Sequence, residues 1–175
     1  MRRLLASLLA GPLLIGAAIP SSPDLGKAAG QCRANETGPA FIVDASGLKD
    51  RKGLLKLEVY PANNDDFLAD DNVLIMAGKT FRRVEIPITS TGHVQACIRL
   101  PAAGRYAVSV LHDRDANRKF GWRVDGIGFS GNPKLGLSEP TAAKASAIAG
   151  PGLTKLSIVL NYQHGLGMRP LSRTD

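Results

Sequence analysis

The sequence predicts an all-β fold: one antiparallel β-sandwich of immunoglobulin-like type, with about seven strands, over residues 39–162. Three observations predict it. From Ala40 onward apolar residues recur mostly at every second position, the period of a strand with one face buried. Gly, Pro, Asn and Asp punctuate these runs where turns are needed. Past the N-terminus no run shows a convincing amphipathic helical period.

The elements follow in order. AFIVDASGL places Phe41, Val43 and Ala45 on one face, and LLKLEVY places Leu55, Leu57 and Val59 together with Lys56 and Glu58 opposite. Pro61 ends that strand because it cannot donate to the ladder. The linker DASGLKDRKG reads as a hairpin connection in which Gly47 and Gly53 accept positive φ. NNDDFLADDNVLIMAGK fits neither period and reads as a long excursion with a short helical turn. FRRVEIPI resumes extended structure through Val84, Ile86 and Ile88, with Pro87 marking an edge or a bulge. HVQACIRL alternates cleanly, so Val94, Ala96, Ile98 and Leu100 face the core while Cys97 lies off that face.

LPAAGRYAVSVLHD carries Tyr106, Val108 and Val110 on one side and Ala107, Ser109 and Leu111 on the other. Both faces are apolar or small, which predicts a central strand buried on both sides. Residues 114–140 are rich in glycine and lack alternation, and a loop of that length in a compact domain is usually functional or locally pinned. AKASAIA reads as a short strand, and LTKLSIVLNY as the last one, through Leu156, Ile158, Leu160 and Tyr162. The tail, 163–175, reads as frayed.

Ahead of the domain stands MRRLLASLLAGPLLIGAAIPSSP, two arginines, an apolar run and a polar proline-containing stretch. This is the layout of a secretory signal peptide over residues 1–18, cut after Ala18 or as late as Ala29. A membrane anchor is the rival reading. The run is short against the roughly 20 residues a span needs and is interrupted by Gly11, Pro12 and Gly16. Residues 19–38 read as a flexible leader, and Gln31 directly before Cys32 fits a lipoprotein junction poorly. The expected location is extracytoplasmic, periplasmic or secreted, with a mature form that does not span the membrane. There Cys32 and Cys97, the only two cysteines, most simply pair. Closing so long a loop is worth roughly 4 kcal/mol by the chain-entropy model.

Removing Arg2 and Arg3 with the leader takes the net charge from +7 to about +5. Opposite charges are mixed along the chain rather than gathered in a stripe with aromatics, which excludes nucleic acid as the expected partner. A solvated basic surface is the plain reading, and attraction to an anionic envelope surface follows from the same charge.

The polar stretch LHDRDANRKFG offers the first half of a calcium loop, with Asp113, Asp115 and Asn117 at alternate positions. The second half is missing: Arg118 stands where glycine is wanted and Val124 where a bidentate glutamate is wanted, with Asp125 one place later. Calcium on Asp113, Asp115, Asn117 and Asp125 is therefore one expectation. An Asx-turn in which these side chains cap their own backbone is the other. GIGFSG matches G-x-G-x-x-G through Gly126, Gly128 and Gly131, but no strand-to-helix context supports a dinucleotide site. Ser130 fails the nucleophile-elbow pattern because Asn132 stands where a glycine is needed, and backbone flexibility accounts for these glycines. Asp65, Asp66, Asp70 and Asp71 form a rival carboxylate cluster, read as a solvated acidic turn. His112 beside Asp113 or Asp115 would be the base of a hydrolase, and a strand-end histidine in a hydrogen bond is the plainer alternative. No other arrangement of catalytic residues stands out, and no cofactor is expected beyond the possible calcium.

GRYAVSVLHDRDANRKFGWRVDGIGFSGNPKLGLSEP resembles the central block of the bacterial secreted family catalogued as domain of unknown function 2141. LLKLEVYPA and LSIVLNY fall where that family has strands, so the resemblance runs from Phe41 to Tyr162. It sets Tyr106, His112, Asp113, Asp115, Asn117, Lys119, Gly128, Phe129 and Ser130 on the family's characteristic positions. Arg118 departs from the family's usual glycine, and Gly121 from a place where an acidic residue is common. The resemblance implies a fold and an exported location, not a reaction. The functional expectation is a non-catalytic exported module that binds an envelope or extracellular protein or glycan through residues 112–132. Its ligand-binding candidates are His112, Asp113, Asp115, Asn117, Lys119, Phe129, Ser130 and Asn132.

Overall fold

The alternating runs become strands packed in two sheets. The computed structural model describes residues 19–171; the expected signal peptide, the cut after Ala18 and the last four residues of the tail lie outside the described residues. The chain runs through α1 (Lys27–Gly30), β1 (Ala40–Ser46), β2 (Leu54–Pro61), α2 (Asp71–Met76), β3 (Arg82–Pro87), β4 (Val94–Arg99) and β5 (Gly104–Asp113). It continues through β6 (Gly126–Phe129), β7 (Ser146–Ala149), β8 (Leu153–Val159), β9 (Asn161–His164) and β10 (Gly167–Pro170). The small sheet has the order β4-β1-β8. The large one runs β10-β9-β6-β5-β2-β3, with β7 added to β5.

The inward residues of both sheets make the core. Phe41, Val43, Leu55, Leu57, Val59, Ile98, Val108, Val110, Ile158 and Leu160 are all fully shielded there. β5 is central, with β2 on one side and β6 and β7 on the other. Its second face is covered by a separate cluster in which Tyr60, Phe67, Leu74, Phe81, Ala107 and Phe129 meet. The excursion between β2 and β3 supplies Phe67 and Leu74, so it serves as a lid on the outer face of the large sheet. The expected solvated acidic turn holds for exposed Asp65 and Asp70 only: buried Asp71 pairs with Arg83 at 3.1 Å and buried Asp66 with Lys79 at 2.5 Å, while Glu58 of β2 also takes Arg83 at 2.7 Å.

Four features depart from expectation. DASGLKDRKG is not a hairpin connection: β1 pairs with β4 and β8 and β2 with β3 and β5, so the linker crosses from the small sheet to the large one. β8 joins β1 in parallel, so the small sheet is mixed rather than purely antiparallel. β1 and β8 are separated by a full circuit of the fold, and only a tight hairpin would have forced the antiparallel sense. LTKLSIVLNY is not one strand: the chain leaves the small sheet at Leu160 and enters the large one as β9. The ten strands include short β6 in the glycine-rich stretch and β10 in the tail. β10 forms because Gly165, at φ 61, turns the chain so that Met168 pairs with Gln163.

Residues 19–38, read as a flexible leader, lie along the edges of both sheets. Arg83 donates its amide to the Gly26 carbonyl at 3.3 Å, and Gln31 bridges Ile98. Cys32 and Cys97 are joined with their Cα atoms 5.9 Å apart. A free strand edge is a template for unwanted pairing, and this segment covers part of β3.

Candidate functional site

β5 carries His112 and Asp113 to one end of the sandwich, and successive residues of a strand face opposite ways. His112 therefore points into the core and Asp113 out of it. His112 has no solvent exposure. Its Nε2 lies 2.9 Å from the Lys52 carbonyl, which can only accept, so Nε2 carries the proton. Nδ1 then accepts from the Tyr162 hydroxyl at 2.6 Å, and that hydroxyl accepts the Lys49 amide at 3.0 Å. Burial lowers the His112 pKa, favouring this neutral form, and pushes the Tyr162 phenol up. With both nitrogens engaged inside the core, His112 has no route to a substrate. The hydrolase expectation loses its base for that reason, and Asp113 on the opposite face cannot form a dyad with it.

The carboxylates organise the loop that follows. Asp113 is fully buried and accepts the amides of Asn117 at 3.1 Å and Arg118 at 2.7 Å. Asp125, also buried, closes the neck of the loop by accepting Arg114 N at 2.9 Å and Gly121 N at 2.7 Å. Asp115 is exposed and holds the Asn117 side chain at 2.8 Å, while Asn117 Oδ1 accepts the Lys119 amide at 2.7 Å. The Arg114 guanidinium pairs with Asp50 and donates to the Val124 carbonyl at 2.8 Å, which ties the loop to the connection between β1 and β2. This pairing holds the Asp50 carboxyl below its usual range. The Asx-turn expectation thus describes the backbone.

Oxygens of Asp113, Asp115 and Asp125 nevertheless lie within 4.8 Å of one another. Burial, together with the neighbouring carboxylates, raises the Asp113 pKa against the pull of the two amides. Asn117, the fourth expected ligand, spends its oxygen on Lys119.

The remaining expected residues separate. Phe129 is buried edge-to-face against Phe67, with centroids 5.8 Å apart, and Ser130 is buried beside it. Asn132 is turned toward the small sheet, where its amide donates to the Ser157 carbonyl at 2.9 Å and its oxygen accepts Val159 N at 2.8 Å. It clamps β8 and does not join the loop. Gly126 and Gly128 have a packing reason rather than the flexibility expected of them. A Cβ on Gly126 would lie 2.4 Å from the Tyr162 ring, and one on Gly128 would lie 2.6 Å from Ile158 and 2.8 Å from the Val159 carbonyl. At Gly128 the small sheet approaches too closely for any side chain, and at Gly126 the ring of Tyr162, from β9 of the large sheet itself, takes the space.

The tertiary structure adds a groove that motif reading missed. Phe120 and Trp122 form one wall, with rings 6.5 Å apart edge-to-face; Leu135 and Leu137 face them, and Phe129 and Met168 lie deeper. Its volume is about 270 Å³. The only available signal was two aromatics set among cations in a loop that has no strand to bury them.

The family described as "Uncharacterized protein conserved in bacteria (DUF2141)" matches residues 43–156, a span that runs from within β1 to within β8 and holds the whole loop. No curated protein and no solved structure matches the chain.

Proposed function

The chain belongs to the bacterial family DUF2141, and from that premise we propose that it is an extracytoplasmic, non-catalytic binding module whose ligand enters the groove beside the loop at 114–124. One observation carries the reading. The aromatic wall of Phe120 and Trp122 is left open to solvent on a loop whose neck is fixed by Asp125 and whose turn is fixed by Asp113. Order without burial is what a pre-formed recognition surface requires, because the ordering entropy is already spent before the ligand arrives. The signal-peptide-like layout of the N-terminal sequence and the Cys32–Cys97 bond support the location. Among the described residues no helix is long and apolar enough to cross a membrane.

Trp122 is the sole tryptophan, so its emission reports on the groove directly. Titration with fractionated envelope material, both soluble glycans and extracted lipids, is expected to shift that emission. Phe120→Ala should weaken the response about tenfold, the effect of truncating an anchor worth ~1.4 kcal/mol. A spectrum unmoved by every fraction would remove the groove from the account.

A calcium-stabilised domain is the second reading, favoured by the approach of the Asp113, Asp115 and Asp125 carboxylates. It predicts a melting temperature that rises with calcium and falls with chelator. Equal melting in both would end it.

A further inference from the structure

Granting that the groove binds, we infer that its occupant is the surface of an anionic lipid bilayer, into which the loop tips around Phe120, Leu137 and Leu166 insert. The apolar groups are on tips, not on a flat face. Leu137 is 76% exposed, Leu166 85% and Phe120 43%. Met168 donates its amide to the Gly136 carbonyl at 3.3 Å, which holds the β9–β10 turn carrying Leu166 against the segment carrying Leu137. Leu137 lines the same groove as Phe120 and Trp122. Three neighbouring connections thus each leave a large apolar side chain open to solvent, and a cluster of such side chains marks an interaction site. Half-buried Trp122 sits behind them, the residue that favours the boundary between headgroups and hydrocarbon.

Charge selects the partner. Lys119, Arg123, Lys134 and Arg169 each neighbour a lining residue in the chain, namely Phe120, Trp122, Leu135 and Met168, and all four are exposed. None makes an ion pair among the described residues, whereas Arg114 and Arg118 are committed to Asp50 and Glu85. Glu139 is the one carboxylate in the lining, and Ser138 the one hydroxyl. A sugar would need several converging polar side chains, which this groove lacks. Lys134 and Arg169 line an adjoining groove that shares Leu135 and Met168 with this one, and Lys119 and Arg123 flank Phe120 and Trp122 in the chain. Exposed cations beside apolar tips match phosphate headgroups above acyl chains.

Vesicles of phosphatidylglycerol and phosphatidylcholine, and vesicles of phosphatidylcholine alone, provide the test on the mature chain, read by Trp122 emission and by cosedimentation. The expected result is a blue shift and pelleting with the anionic vesicles, reversed by high salt and weak with neutral ones. Each basic residue near such a surface is worth about fivefold in affinity. Lys119→Ala with Arg123→Ala should therefore lower binding roughly 25-fold at unchanged melting temperature, and Leu137→Asp should abolish the blue shift. Equal binding to neutral and anionic vesicles would overturn the inference. So would vesicle silence alongside a Trp122 response to soluble glycan, an outcome that leaves the groove a binding site for another class. Silence toward vesicles and every envelope fraction would overturn both readings.

Discussion

Replacing Tyr162 with Phe removes one oxygen atom from the core and leaves the ring in place. That oxygen donates to His112 Nδ1 at 2.6 Å and accepts the Lys49 amide at 3.0 Å. The two losses are unequal. Lys49 is exposed in the connection between the sheets, where water can replace the hydroxyl, whereas His112 has no exposure and its Nδ1 would be left without a donor. A buried acceptor stranded in this way costs about 1–3 kcal/mol, and the amide adds a few tenths. Tyr162→Phe should therefore lose about 2 kcal/mol. For a domain of this size that is roughly 4–8 °C in melting temperature. Urea unfolding followed by circular dichroism checks it, with the m-value unchanged because the surface exposed on unfolding is the same. A cycle with His112→Leu should show coupling of about 1–2 kcal/mol between the two sites. A loss under about 0.5 kcal/mol would refute the assignment of Tyr162 as the donor that keeps His112 neutral and buried.

Four further outcomes follow from the same geometry. Burial places the folded His112 pKa below its unfolded value of about 6.5, so the unfolded chain binds the extra proton first. The contribution is fully present above that pH and is lost as pH falls toward the folded value, by about 1.4 kcal/mol per unit; melting between pH 8 and 5 should show the slope, and His112→Gln should flatten it. Gly128→Ala should cost about 2–3 kcal/mol in urea unfolding because its Cβ meets Ile158 and the Val159 backbone, while Gly136→Ala, with nothing within 4 Å, should cost far less. Asp125→Ala should speed amide exchange at Gly121 by roughly a hundredfold, since it removes a charge-assisted bond, and leave the β2 and β5 core amides slow. Arg118 holds φ 64, so Arg118→Gly should be more stable than Arg118→Ala by about 1 kcal/mol in thermal melts.

Strand alternation was legible because burial on one face writes a period of two directly into the chain. Phe41, Val43 and Ala45, or Leu55, Leu57 and Val59, enter the core where that period puts them. The double burial of β5 was legible too, from apolar or small residues on both of its faces. The break at Leu160 was not, since both sheets bury the same kind of residue and the alternation continues across the switch. The loop was recognisable as polar and ordered by its aspartates, yet its residues looked like ligands for a cation when most of their oxygens serve the backbone.

By itself the sequence determined the fold class, because strand alternation depends on residue types at short and regular spacing, and the cysteine pairing, because the chain has only two cysteines. The tertiary structure alone decided that His112 is closed off by Tyr162, fifty positions away. It alone decided that Gly126 and Gly128 are glycines for want of space, and that Phe120, Trp122 and Leu137 share one groove. These facts concern distances between segments remote in the chain. Such distances are set by how two sheets pack, and no local pattern of residues encodes them.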